Sequence, residues 1–180
     1  IFMQKGEISS MLTVLNEEIY SFLGQLSLAE QSENIEGKWS ISQNMDHLCK
    51  VLVPVNKALS KPKFLLRFAF GKPNREGRDY DALVKRYHEK SQGPAKAPEV
   101  YSAKESKHLN SEVLLEDYKA LIQKFLRIVD RKWTEKQLDS YLLVHPLLGK
   151  ITIRELLYFV HFHTDHHFTA IKLVLDQEIS

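Results

Sequence analysis

The sequence predicts an all-α fold, a four-helix bundle with a long crossover connection between its second and third helices. Two observations carry this. Four long stretches repeat apolar side chains at alternating steps of three and four, the spacing of a helix with one buried face, and no segment reads convincingly as a sheet. Chain breakers gather in the middle, at Gly71-Lys72-Pro73, Gly93-Pro94 and Pro98, so the long connection falls between the second and third stretches.

The first helix is expected from about Gln4 to Leu26, with Ile8, Met11, Leu12, Leu15, Ile19, Phe22 and Leu26 on its apolar face. The second opens at Ser40-Ile-Ser-Gln43, a capping-box sequence in which a hydroxyl meets the first free amides and Gln43 reaches back. Its stripe is Ile41, Met45, Leu48, Leu52, Val55 and Leu59, and Pro54 should kink it or end its regular part. Residues 61 to 98 read as irregular, apart from a helix from about Asp79 to Lys90. The third long helix is expected from Asn110 or Ser111 to about Lys132, carrying Leu114, Leu115, Tyr118, Leu121, Ile122, Phe125 and Ile128. A turn follows at His145-Pro-Leu-Leu-Gly149. Thr152-Ile-Arg-Glu155 is a second capping box and opens a fourth helix that runs to about Asp176.

With 180 residues the chain is read as one domain, 1–180, large enough to bury a substantial core. An apolar content of 43% and a charged content of 27% are ordinary for a globular protein, and no apolar run reaches the ~20 residues of a membrane span. The start of the chain lacks the pattern of a signal peptide, and Cys49 is the single cysteine, so a cytoplasmic setting without disulfides is expected. Net charge is +2, but residues 61–78 alone carry +5 with Phe64, Phe68 and Phe70 interleaved. Such a stretch can meet nucleic acid or an anionic membrane. The reading preferred here is a crossover that tucks its Phe and Leu side chains onto the bundle and leaves its basic groups in solvent. Neither nucleic acid nor membrane is expected as a partner.

Histidines supply the chemistry. Ile153, Leu156, Val160, His163, His167, Ala170 and Val174 form one helical seam, which places two imidazoles where a bundle ordinarily packs leucine. A buried imidazole needs partners for its ring nitrogens, and two at i and i+4 can share a divalent metal. His47 lies two turns into the second helix, about 100° from the centre of its stripe, on a flank shared with Asn44 and Val51. That flank can meet His163 and His167 across the interior, and three imidazoles leave coordination positions for water or substrate. Asn44 and His166 are supporting candidates. His161 points off the seam, His145 precedes a proline in a turn, and His88 and His108 sit among polar residues. Cys49 is about 200° around the helix from His47 and is not expected to act as a nucleophile.

Spacing weighs against three familiar chemistries. A zincin needs Glu after the first His, where Thr164 stands. A di-iron bundle needs two Glu-x-x-His pairs, and Glu105-Ser-Lys-His108 alone has that form. No local motif joins a Ser or Cys nucleophile to a base.

Two segments resemble a known family. Trp39-Ser-Ile-Ser-Gln-Asn-Met-Asp-His47-Leu48 is similar to the tryptophan-containing start of the second helix in the DinB-like superfamily, whose members include DNA-damage-inducible and bacillithiol-transferase-like four-helix bundles. His145-Pro-Leu-Leu-Gly-Lys-Ile-Thr-Ile-Arg-Glu-Leu-Leu-Tyr-Phe-Val-His-Phe-His163-Thr-Asp-His-His167 resembles its C-terminal helix. The resemblance implies a three-histidine site for Zn or Ni, with the ligands falling on His47, His163 and His167. It also implies a small-molecule substrate, a low-molecular-weight thiol such as bacillithiol or mycothiol as cosubstrate, and a homodimer. The family often has Gln three residues after the last ligand, where this chain has Ala170. The expected activity is metal-assisted activation of a thiol for transfer to a small electrophile. The alternatives are a metal-dependent hydrolase and a non-enzymatic metal-binding bundle.

Overall fold

Capping chemistry sets where the long helices begin. The computed structural model describes residues 2–27, 30–31, 38–93, 98–102 and 110–176. Helix α1 spans Lys5–Leu23 and α2 spans Ile41–Ser60. At the start of α2 the Gln43 amide donates to the Ser40 hydroxyl, and the Ser40 amide donates to the Gln43 side chain, so both free amides are satisfied. The crossover then holds α3 (Lys63–Phe70), α4 (Tyr80–Ser91) and a short 3-10 turn at Glu99–Tyr101. Helix α5 spans Ser111–Lys132, capped by Asn110, and α6 is a single turn at Glu135–Leu138. Strands β1 (Leu142–His145) and β2 (Gly149–Thr152) precede α7 (Ile153–Asp176).

The four long helices match the expected bundle. Helix α2 packs on α5, α1 on α7, and α2 also meets α7, which brings the two histidine-bearing helices face to face. Leu12 and Ile19 of α1, Leu48 and Leu52 of α2, Phe125 of α5 and Val160 of α7 belong to one buried cluster. Each such side chain contributes about 1.5–3 kcal/mol on leaving water. One buried polar pair joins α1 to α5. The Tyr118 hydroxyl donates to Asn16 Oδ1, whose amide nitrogen donates in turn to the Leu12 carbonyl.

Three expectations need correction. The turn at His145–Gly149 is the tip of a β-hairpin in which Leu142 faces Thr152 and Leu143 faces Ile151. Four-residue strands are too short to display alternation, and Gly149, at φ 71°, takes the left-handed turn position that its missing Cβ permits. Second, of the two outcomes expected at Pro54, the helix does not end there, since α2 continues to Ser60. Pro54 cannot donate to the Lys50 carbonyl, but tertiary packing on α5 sustains the helix beyond it. Third, the basic crossover is arranged only in part as expected. Leu66 is buried and Phe70 packs against the core, but Phe64 and Phe68 of α3 are 70% and 93% exposed. Lys61 and Lys72 are exposed, but four basic groups reach back to the bundle. Lys63 lies over the Trp133 ring and Arg67 over the Tyr141 ring. Arg75 and Arg78 both reach the fully buried carboxylate of Glu155, at 3.0 and 2.8 Å.

That carboxylate has two jobs. Glu155 Oε2 accepts from the Thr152 amide at 2.7 Å, and the Glu155 amide donates to the Thr152 hydroxyl, the predicted capping box of α7. The same side chain anchors the crossover, so the start of the histidine-bearing helix and the strap across it share one group. No helix among the described residues is long and apolar enough to cross a membrane.

Candidate metal centre

The phase of α7 puts His163 and His167 on the bundle side, one turn apart, and both are buried. His47 of α2 enters from the opposite wall. Its ring centroid lies 5.0 Å from that of His163 and 4.6 Å from that of His167. One ring nitrogen from each of the three lies within 4.8 Å of the others, and His47 Nε2 is 3.1 Å from His163 Nε2. At about 2.0–2.1 Å from nitrogen to zinc, two nitrogens that far apart subtend roughly 100° at one ion, close to a tetrahedral angle. The cluster could hold a metal ion.

Neighbouring groups choose which nitrogens face inward. Asn44 donates its amide nitrogen to the backbone carbonyls of Trp39 and Ser40. Its carbonyl oxygen is thereby turned to His167 Nδ1 at 2.8 Å. A carbonyl only accepts, so His167 carries its proton on Nδ1 and offers the Nε2 lone pair. The Tyr101 carbonyl does the same for His47, at 2.6 Å from Nδ1. Tyr101 is held in turn by Lys50, whose ammonium donates to the next carbonyl, that of Ser102, at 2.6 Å and pairs with Asp46 at 2.7 Å. The indole of Trp39 covers the outer side, tilted over His47 and stacked at 16° on His167.

Burial keeps these rings neutral. Desolvation and then the neighbouring His47 push His167 down to about 3. Desolvation, followed by His167 and His47, holds His163 well below the ordinary histidine range. His47 is lowered by burial, against an opposing pull from the Tyr101 carbonyl. Neutral imidazoles near neutral pH are the form that ligates a cation.

The three rings close one end of a cavity of about 460 Å³. Val51, Pro54, Val55 and Ala58 of α2 form one wall, and Leu143, Leu147 and Ile151 of the hairpin form another. None of the described residues that line it is Asp, Glu, Lys or Arg.

The remaining sequence candidates separate cleanly. Asn44 contacts His167, as its flank suggested. His166 is exposed and lines the cavity with its ring edge-on to His167. His161 turns away and shares a hydrogen bond with the Tyr80 hydroxyl. His88 is exposed and packs edge-on against Phe162. His108 and the Glu105 pair lie outside the described residues. Thr164 is buried near Tyr118. Cys49 faces α5, its sulfur 3.8 Å from the Leu114 carbonyl and its thiol pushed up to about 12 by burial. Ala170 borders a second hollow beside Trp39, Asn44 and His167. The outer nitrogen of His167 is already met by Asn44, so no Gln at 170 is needed to orient that ring.

Sequence reasoning missed Tyr101 and His145. Tyr101 acts through its carbonyl, which every residue has, so no side-chain pattern could announce it. His145 lines the cavity and packs edge-on to Phe159, which stacks on His163. Its signal was the turn at His145-Pro146, which reads equally well as plain turn chemistry.

No curated protein matches the sequence. The sequence profile of the DinB superfamily matches residues 12–171, which takes in α2, most of α7 and all three clustered histidines. A helical bundle with this histidine cluster, matched along most of its length, belongs to the DinB superfamily.

Proposed function

We propose that the chain is a divalent-metal-dependent enzyme that transfers a low-molecular-weight thiol to a small electrophile. The observation that carries this reading is the convergence of three neutral, buried imidazoles on the end of an apolar cavity. His47, His163 and His167 would hold the ion, with Asn44 and the Tyr101 carbonyl fixing two of the rings. Zn or Ni suits a donor set of three nitrogens. Bound there, the ion supplies Lewis acidity that lowers the pKa of a thiol or water. A thiol is favoured because no carboxylate lines the described walls to take a proton from water, and a free thiol already has a pKa near ~8.5. In the reaction a carbon–sulfur bond forms, the bond from carbon to the leaving group breaks, and the thiol proton passes to solvent. The apolar walls exclude water and position the electrophile.

Elemental analysis should find about one divalent ion per chain in purified protein. His47→Ala, His163→Ala and His167→Ala should each lose it, while His161→Ala keeps it. Equal metal content in all four variants would sink the three-histidine site. Metal-loaded protein is then screened against electrophiles with and without added thiols. Turnover that needs the thiol supports transfer. Thiol-independent hydrolysis abolished by His47→Ala makes the protein a hydrolase instead.

A further inference from the structure

We propose that the cavity binds an uncharged, mainly apolar small molecule bearing a hydrogen-bond acceptor, and that His145 is the residue that orients it through Nε2–H. The inference rests on the metal-dependent reading above, in which this molecule is the electrophile.

The walls select for lack of charge. Val51, Pro54 and Val55 face Leu143, Leu147 and Ile151 across the space, and the described lining holds no charged side chain. Along the walls away from the three histidines, a carboxylate or phosphate gives up water without gaining a counter-charge. An apolar ring gains from the same transfer, and about 460 Å³ accommodates a small organic molecule.

His145 supplies direction. The backbone amides of Leu147 and Leu148 both donate to His145 Nδ1, each at 3.2 Å. A nitrogen that accepts carries no proton, so the hydrogen of this neutral ring is on Nε2. The ring is wedged edge-on against Phe159 at 4.2 Å between centroids, and Phe159 stacks on His163 at 4.9 Å. One aromatic ring therefore separates this donor from the metal-ligand cluster. Among the described residues, no acceptor meets His145 Nε2. A turn-capping role alone would use Nδ1 and would be served equally by Asn. What it leaves over is a donor of fixed tautomer in the wall of an apolar cavity, the kind of sparse polar group that orients a ligand.

Three dyes on related scaffolds test this by fluorescence titration of metal-free protein, in which no bound cation draws an anion into the site. They are prodan (an uncharged naphthyl ketone), dimethylaminonaphthalene (which lacks the ketone) and anilinonaphthalene sulfonate (an anion). Prodan should bind, the sulfonate should bind much more weakly, and Ala58→Trp, which fills the space, should abolish prodan binding. His145→Asn keeps an acceptor for the turn amides but removes Nε2–H. It should weaken prodan by about fivefold and change dimethylaminonaphthalene by less than about twofold. Circular dichroism and zinc stoichiometry confirm that each variant is folded. Sulfonate binding as tight as that of prodan, indifference to Ala58→Trp, or an equal effect of His145→Asn on both uncharged dyes would each overturn the proposal. Zinc titration of the same samples separates the two readings. Zinc bound at the histidines with no prodan binding defeats this inference alone. Prodan binding with the expected variant pattern but no zinc uptake defeats the metal reading and leaves the cavity assignment standing.

Discussion

Asn44 decides which nitrogen His167 can offer. Its amide is fixed by two backbone carbonyls, so the oxygen that meets His167 Nδ1 is not free to exchange places with the nitrogen. Asn44→Ala should lower zinc affinity by about 10–100-fold, measured by competition with a chromophoric chelator, because the ring loses its enforced tautomer. Asn44→Asp, which keeps the acceptor, should retain most of the affinity. If the alanine variant binds zinc as the parent does, Asn44 is a helix-start residue only. Cys49 gives the opposite case. It packs against α5 with its thiol raised to about 12, so Cys49→Ala should keep metal content and any transferase activity. Loss of activity in a folded, metal-loaded variant would return Cys49 to the reaction. Both side chains were legible in the sequence because helical phase fixes which face a residue takes. Tyr101 was not legible, since its contribution is a carbonyl brought to His47 by the fold of the crossover.

At the scale of elements, the long helices were readable because each carries a stripe of many apolar residues and most open at a side-chain cap. The crossover was not. Helix α3 turns Leu66 and Phe70 to the core but leaves Phe64 and Phe68 outward, so its apolar residues do not all mark one core face. Its basic side chains lie over aromatic rings, and the arginines beyond it run to a buried acid, contacts set by residues far away in the chain. Glu155 concentrates that arrangement, joining the cap of α7 to Arg75 and Arg78. Glu155→Gln should destabilise the protein by about 2 kcal/mol in urea unfolding. This is below the cost of stranding a fully buried charge, because both arginines are partly exposed and can turn to water. An unchanged midpoint would show that the crossover is held by its apolar contacts alone.

Across the whole molecule, α2, α7 and the hairpin meet at one cavity, and histidines from all three lie along it. Building the site this way places several imidazoles in apolar surroundings, with a consequence for stability. Burial lowers His145 from the ordinary 6.5 to about 4 and His167 to about 3, so the folded state resists protons that the unfolded chain accepts freely. Where the unfolded state binds more protons, stability rises with pH. The contribution of these groups is therefore complete above about pH 6.5 and is lost progressively as the pH falls toward 4 and then 3. Urea unfolding in the presence of a chelator, at a series of pH values from 7.5 downward, should show this decline beginning near 6.5, before most carboxylates titrate. His145→Asn removes one of the contributing groups and should flatten the slope between about pH 6.5 and 4. Zinc should add stability at pH 7 by binding the folded chain alone, about 2.7 kcal/mol at a hundredfold excess over its dissociation constant. A chelator-treated protein equally stable at pH 7 and pH 5 would mean that these rings open to water and bind protons while folded. A cavity that admits protons so readily would not keep the three nitrogens neutral for a metal.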